Sequence, residues 1–126
     1  MKYKLLGKSG LRVSELCLGT MTFGEDWQWG CSKEESRKIF DAFVQQGGNF
    51  IDTANFYTNG TSEQWVGDFI AAERERFVVA TKFTCNMRPE DINAGGNHRK
   101  NIMQSLEASL KRLKLEYLDL YWLHAW

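Results

Sequence analysis

The sequence predicts a parallel α/β fold, a short N-terminal hairpin followed by the order β-α-β-α-β-α-β. Two observations carry that reading. Short apolar runs recur along the chain, and the stretches between them show the apolar spacing of one-sided helices. Three of the runs also end alike: Phe50-Ile51 stops at Asp52, Phe77-Val78-Val79-Ala80-Thr81 at Lys82, and Leu120-Tyr121-Trp122-Leu123 at His124. Strands of a parallel sheet point the same way, so residues that follow them collect on one rim, where active sites are built. Asp52, Lys82 and His124 are therefore expected together, with Tyr57 just beyond Asp52.

Tyr3 to Leu6 and Leu11 to Val13, joined through Gly7-Lys8-Ser9-Gly10, form the hairpin. Leu16-Cys17-Leu18 reads as the first buried strand, closed by Gly19-Thr20. The loop after it carries Phe23, Trp27 and Trp29, which serve either as a lid or pocket wall or as packing onto the hairpin. Ser32 and Glu35 make a capping box, so a helix starts at Lys33 and presents Ile39, Phe40, Phe43 and Val44 on one stripe. Gly47-Gly48 ends it, and the second strand, Asn49 to Asp52, begins at once.

Past Tyr57, the cluster Thr58-Asn59-Gly60-Thr61-Ser62 is a turn, with Ser62 expected to cap a second helix bearing Trp65, Val66, Phe69 and Ile70. Gly67 inside that helix implies close approach to the sheet. The third strand is Phe77 to Lys82. A loop with the single proline, Pro89, and Gly95-Gly96 leads to Asn97, expected to cap a third helix with Ile102, Leu106, Leu110 and Leu113 on its face. His98, Arg99 and Lys100 at its start oppose the helix dipole, which fits either an anionic neighbour or a solvated basic turn. The fourth strand runs from Tyr117 to His124.

Composition narrows the function classes. The chain has 126 residues, 43% of them apolar, enough for one domain spanning 1–126 with a real core. Sixteen basic residues balance 16 acidic ones, so there is no basic footprint for nucleic acid or an anionic membrane. No apolar run approaches the ~18 residues of a membrane span. Cys17, Cys31 and Cys85 are widely spaced, without a C-x-x-C, and read as free thiols in a reducing compartment, the cytoplasm; no metal site is expected.

Alternation along the strands sets Asp52 in register with Phe50, Lys82 with Val78 and Ala80, and His124 with Leu118, Leu120 and Trp122, each polar residue topping an apolar column. Together the four polar groups make a proton-transfer device. A phenol, with an ordinary pKa of about 10, is a weak acid near neutrality. An adjacent ammonium favours the phenolate, and a carboxylate offsets the ammonium's desolvation. A neutral imidazole holds a carbonyl oxygen. Carbonyl reduction, with hydride to carbon and a proton to oxygen, suits that set.

These residues resemble the aldo-keto reductases. Gly48-Asn49-Phe50-Ile51-Asp52-Thr53-Ala54, then Tyr57 and Ser62-Glu63-x-x-Val66-Gly67, is similar to the family's first signature. Ala80-Thr81-Lys82 and Leu120-Tyr121-Trp122-Leu123-His124 are similar to the other two strands of its catalytic tetrad, and Leu18-Gly19-Thr20-Met21 to its first strand and cofactor-side loop. The resemblance implies a (β/α)8 barrel of the TIM class, NADPH/NADP as cofactor and a small aldehyde or ketone as substrate. It implies that Tyr57 is the proton donor, that Lys82 and Asp52 tune it, and that His124 orients the carbonyl. Gly19, Thr20, Met21 and Asp52 would lie near the nicotinamide, and Trp27, Trp29 and Trp126 would line an aromatic mouth.

A whole barrel takes about 250 residues. The chain is therefore expected to be the N-terminal half: the hairpin, strands 1–4 and three helices. Such a half is expected to be inactive alone and prone to self-association. The alternative expectation is a non-catalytic half-barrel serving assembly, or a nicotinamide-sensing regulatory subunit.

Overall fold

A computed structural model describes all residues from Met1 to Trp126. Strands β1 (Tyr3–Leu5) and β2 (Arg12–Ser14) pair antiparallel, with Tyr3 opposite Ser14. Strands β3 (Leu18–Gly19), β4 (Phe50–Asp52), β5 (Val78–Phe83) and β6 (Leu120–Leu123) form one parallel sheet in sequence order. Helices α1 (Lys33–Gln45), α2 (Thr61–Ile70) and α3 (Arg99–Leu113) are the crossovers between them. No helix is long and apolar enough to cross a membrane. All three cysteines are free.

Sheet register decides what stands beside what. Gly19 pairs with Asp52, Asp52 with Ala80, and Lys82 with Trp122. The ladder also outruns β4: Thr53 N donates to Ala80 O at 2.9 Å and Asn55 N to Lys82 O at 3.1 Å. The segment leading to Tyr57 thus runs alongside β5 as far as Lys82.

The core lies between the sheet and the helices. Ile51 and Val79 from the strands meet Phe40, Val66, Phe69, Ile70 and Leu113 from the helices, with Phe23 and Phe77 completing the cluster. Each such side chain contributes about 1.5–3 kcal/mol when withdrawn from water. The opposite face of the sheet carries Phe50 and Trp122, in the alternation that a strand imposes. Val78 and Ala80 are buried.

Several local expectations need correction. The first strand is Leu18–Gly19 rather than Leu16 to Leu18; Ser14 Oγ donates to Leu16 O at 2.7 Å, and Leu16 is left exposed. Ile39 is exposed, because the face that α1 buries centres on Ser36 and Phe40. Ser62 does not cap α2. The cap is Gly60, at φ +96°, and a 3₁₀ turn, Tyr57–Gly60, leads into it, so Ser62 falls inside the first turn and is fully buried. Gly67 approaches α3 rather than the sheet: a Cβ there would sit 2.2 Å from Leu113 O.

The third helix is capped by His98, whose Nδ1 accepts from Asn101 N at 3.4 Å, and not by Asn97, whose amide donates to Ala125 O. Its most buried face is Asn101, Ser105, Ser109 and Leu113, with Ile102, Leu106 and Leu110 half-buried beside it. Small polar residues let this helix lie close, and they satisfy one another, as in the 3.0 Å bond from Ser105 Oγ to Asn101 Oδ1. Arg99 and Lys100 are exposed, a solvated basic turn. Leu118 packs on the helix-side cluster instead of the column under His124, because it precedes the first residue of β6.

Candidate active site

Each of the four singled-out polar residues sits at the carboxyl end of a strand or just beyond it, and the structure brings them together. Lys82 on β5 is the centre. Its Nζ donates to Asp52 Oδ2 at 2.5 Å, to Thr53 O at 2.9 Å and to the Tyr57 hydroxyl at 3.0 Å. An ammonium has three donors, and all three are used. The Lys82 and Asp52 side chains keep only 16% and 26% of their surface, so the pair is largely desolvated and each charge needs the other.

The Lys82 ammonium also stands 4.6 Å from the centroid of the Tyr57 ring, a cation–π distance that holds the ring as well as its hydroxyl. His124 meets that ring edge-on, with centroids 5.6 Å apart. Its backbone N donates to Phe83 O at 3.3 Å, extending the β5–β6 pairing by one step. Burial, and next the Lys82 ammonium, hold the His124 imidazole below its ordinary value, with Asp52 pulling the other way. The ring is therefore kept neutral near pH 7.

A pocket of about 600 Å³ opens beside these groups, lined by Gly19, Phe50, Asp52, Lys82, Trp122 and His124, with Cys17 and Leu123 at its wall. Gly19 faces open space, with no heavy atom within 4 Å of where a Cβ would stand, so a flat ligand can approach the backbone there. Met21 is exposed and does not line the pocket. Thr20 turns inward: its Oγ1 donates to Asp52 O at 3.0 Å and lies 2.8 Å from Ser62 Oγ. Burial around the Cys17 thiol, and then Asp52, push its pKa up to about 11. The residue is solvent-accessible overall, and the thiol stays protonated, a neutral wall rather than a nucleophile.

The aromatic loop divides its residues. Phe23 enters the core, edge-on to Phe69 at 6.1 Å. Trp27 packs at a tilt against Trp29 at 5.3 Å and Phe56 at 5.4 Å, and its Nε1 donates to Asn59 Oδ1 at 3.3 Å. The tryptophans therefore pack toward the Tyr57 segment and not onto the hairpin. Trp126 is fully exposed.

One charged cluster went unread in the sequence. Glu63 is fully buried, accepting from Arg112 Nε at 2.5 Å and from Thr81 Oγ1 at 2.6 Å. The signal was present: Glu63 lies on the same helical stripe as Val66 and Ile70, and a charge on a buried stripe demands a partner. Asn55 was also missed. It is 1% exposed, with neither side-chain amide atom partnered within the chain.

The profile of the Aldo/keto reductase family matches residues 15–126. Norsolorinic acid reductase from Aspergillus flavus is 43% identical over 132 aligned positions, covering 97% of this chain and 34% of that protein. Aryl-alcohol dehydrogenase GME11368 from Pestalotiopsis microspora is 42% identical, covering 99% of this chain and 35% of its own length. The chain thus spans about a third of the length of these two relatives. Among solved structures, the holo form of aldo-keto reductase AKR11C1 from Bacillus halodurans superimposes with a TM-score of 0.83 at 33% identity, over 96% of this chain and 39% of that one. The thermostable aldo-keto reductase Tm1743 gives a TM-score of 0.77 at 31% identity, over 98% and 43%. Sheet, helices and rim are those of part of a (β/α)8 barrel.

Proposed function

Because the chain belongs to the aldo/keto reductase family, we propose that its protein reduces an aldehyde or ketone to the alcohol with NADPH, Tyr57 delivering the proton. The observation that carries this reading is the three-way contact of the Lys82 ammonium with the Asp52 carboxylate, Thr53 O and the Tyr57 hydroxyl, beside a neutral His124.

The residues present fit a nicotinamide at the pocket: Gly19 offers bare backbone, Asp52 stands beside it, and Cys17 is neutral. When bound, NADPH supplies the hydride that adds to the carbonyl carbon. As negative charge develops on the carbonyl oxygen, the Tyr57 O–H bond breaks and its proton passes to that oxygen. Lys82 stabilises the phenolate left behind, and Asp52 balances Lys82. His124 holds the carbonyl oxygen within reach of Tyr57 while the proton moves. A solvent proton then restores the phenol. Phe50 and Trp122 keep the pocket apolar, which strengthens every charge interaction in it.

The Phe50 and Trp122 rings that line the pocket favour an aryl carbonyl substrate; two relatives carry an aryl-alcohol dehydrogenase and a norsolorinic acid reductase name. Four strands are half of an eight-stranded barrel, so turnover belongs to the protein carrying a complete barrel and not to these 126 residues alone.

Purified protein with a complete barrel, given NADPH and a panel of aryl and alkyl aldehydes and ketones, should consume NADPH and form alcohol in equal amounts, aryl carbonyls fastest. NADPH binding without any alcohol formed would replace this reading by a nicotinamide-sensing role.

A further inference from the structure

The first turn of α2 holds two adjacent buried side chains, Ser62 and Glu63, both without solvent exposure. Ser62 Oγ donates to Thr20 O at 2.7 Å and lies 2.8 Å from Thr20 Oγ1 and 2.9 Å from Thr53 Oγ1. Glu63 accepts from Thr81 Oγ1 at 2.6 Å and is paired with Arg112 on α3. Three threonines, two just past β3 and β4 and one within β5, therefore converge on one helical turn. Each is the chain neighbour of a residue at the pocket: Thr20 follows Gly19, Thr53 follows Asp52, and Thr81 precedes Lys82.

Adjacent residues of a strand face opposite ways. Pinning a threonine on the helix side thus sets the rotation of its strand, and with it the aim of the neighbour on the pocket side. The same turn directly follows Tyr57–Gly60, and Arg112 closes it from outside: a Cβ on Gly60 would lie 2.8 Å from Arg112 Cδ. Core packing alone calls for apolar residues here. A fully buried carboxylate with two hydrogen-bonded donors costs desolvation, which aliphatic packing would avoid, and in exchange it fixes direction.

We propose that Ser62 and Glu63 are positioning residues for the carbonyl reduction argued above, setting through Thr20, Thr53 and Thr81 where Gly19, Asp52 and Lys82 stand. The inference rests on that reading of the site. It assigns to the Ser-Glu pair a role in turnover beyond that of a helix terminus.

The test compares Thr81→Val, which removes the hydroxyl at constant shape, with Thr81→Ser, which keeps it. Both are made in the protein carrying a complete barrel and assayed with NADPH and benzaldehyde. Thr81→Val should lower kcat about tenfold to a hundredfold with NADPH affinity little changed, and Thr81→Ser should restore it. A second readout needs no turnover. Lys82 is one of the charges acting on His124, so the His124 ring NMR titration, assigned by its loss in His124→Gln, should shift in Thr81→Val and not in Thr81→Ser.

If Thr81→Val does not fold, Ser62→Ala carries the same two measurements. Equal kcat in the valine and serine variants, an unmoved His124 titration, or loss of folding in both Thr81→Val and Ser62→Ala would assign the pair to stability and overturn the inference. Lys82→Met separates the two levels. If it keeps full turnover, the reduction mechanism itself fails; if it abolishes turnover while Thr81→Val does not lower it, only the positioning role fails.

Discussion

Lys82 grips Tyr57 at two points, donating to its hydroxyl at 3.0 Å and standing 4.6 Å from its ring centroid. Removing one contact without the other is therefore chemically feasible. Tyr57→Phe keeps the ring over the ammonium and deletes the proton donor. In the complete barrel, turnover should fall by about 10²–10⁴, while NADPH binding, followed by fluorescence titration, stays near wild type. Undiminished turnover would mean that another group delivers the proton.

His124 should titrate below the ordinary value of 6.5, because burial and Lys82 disfavour its charged form. The sign for stability follows. The unfolded chain takes up this proton first as pH falls, so the contribution of His124 is fully present above 6.5 and is lost as pH drops through the folded value. Urea unfolding near neutrality and at mildly acidic pH should show a smaller acid loss in His124→Gln than in wild type. An equal loss in both would remove His124 from the account.

Glu63 offers a sharper stability effect. Its carboxylate is 0% exposed, and Arg112 retains 20%. Glu63→Ala strands a largely buried guanidinium and leaves a void, so it should cost about 3–5 kcal/mol. The double variant Glu63→Met with Arg112→Met should recover much of that, since no charge is left unpaired. Denaturant midpoints for the single and double variants decide it.

Gly67→Ala tests the contact between α2 and α3. Propensity alone would make alanine better by about 1 kcal/mol. The added Cβ would meet Leu113 O, a backbone atom, at 2.2 Å, and the helices must part. The substitution should therefore destabilise by about 1–3 kcal/mol, measured by thermal melting, with stabilisation as the contrary result.

The 126-residue chain on its own should self-associate. Strands β3 and β6 each pair on one side only, and Trp122 and Leu123 are 42% and 44% exposed. Unpaired strand edges beside exposed apolar side chains recruit further chains. Sedimentation at several concentrations should show oligomers. A compact monomer with carbonyl-reducing turnover would refute both this expectation and the need for a complete barrel.

Much of the fold was legible because its signals are local and redundant. The capping box at Ser32–Glu35, with its bonds at 3.3 and 3.4 Å, is set by residues three apart. The strand ends at Asp52, Lys82 and His124 were read from abrupt polarity changes, and parallel topology alone puts such ends on one rim. What escaped depended on partners distant in sequence. Ser62 looked like a cap because Ser favours that place, but Thr20 and Thr53 claim its hydroxyl while Thr58 Oγ1 accepts from its backbone N–H at 3.1 Å. Gly67 was tied to the sheet because nothing nearby in the sequence names Leu113 as its neighbour. Glu63 needed Arg112, 49 positions away.

The backbone bonds that continue past β4, from Thr53 to Ala80 and from Asn55 to Lys82, act as a ruler laid against β5. They count residues rather than recognise side chains. Between Asp52 and Tyr57 the chain should therefore accept a replacement at the exposed Phe56 more readily than at the buried Thr53, Ala54 and Asn55, and no insertion or deletion anywhere. One added residue would carry the Tyr57 hydroxyl a strand step away from Lys82, roughly 3.3 Å, with every atom of the tetrad still present. Variation in such a segment is constrained in length as well as in chemistry.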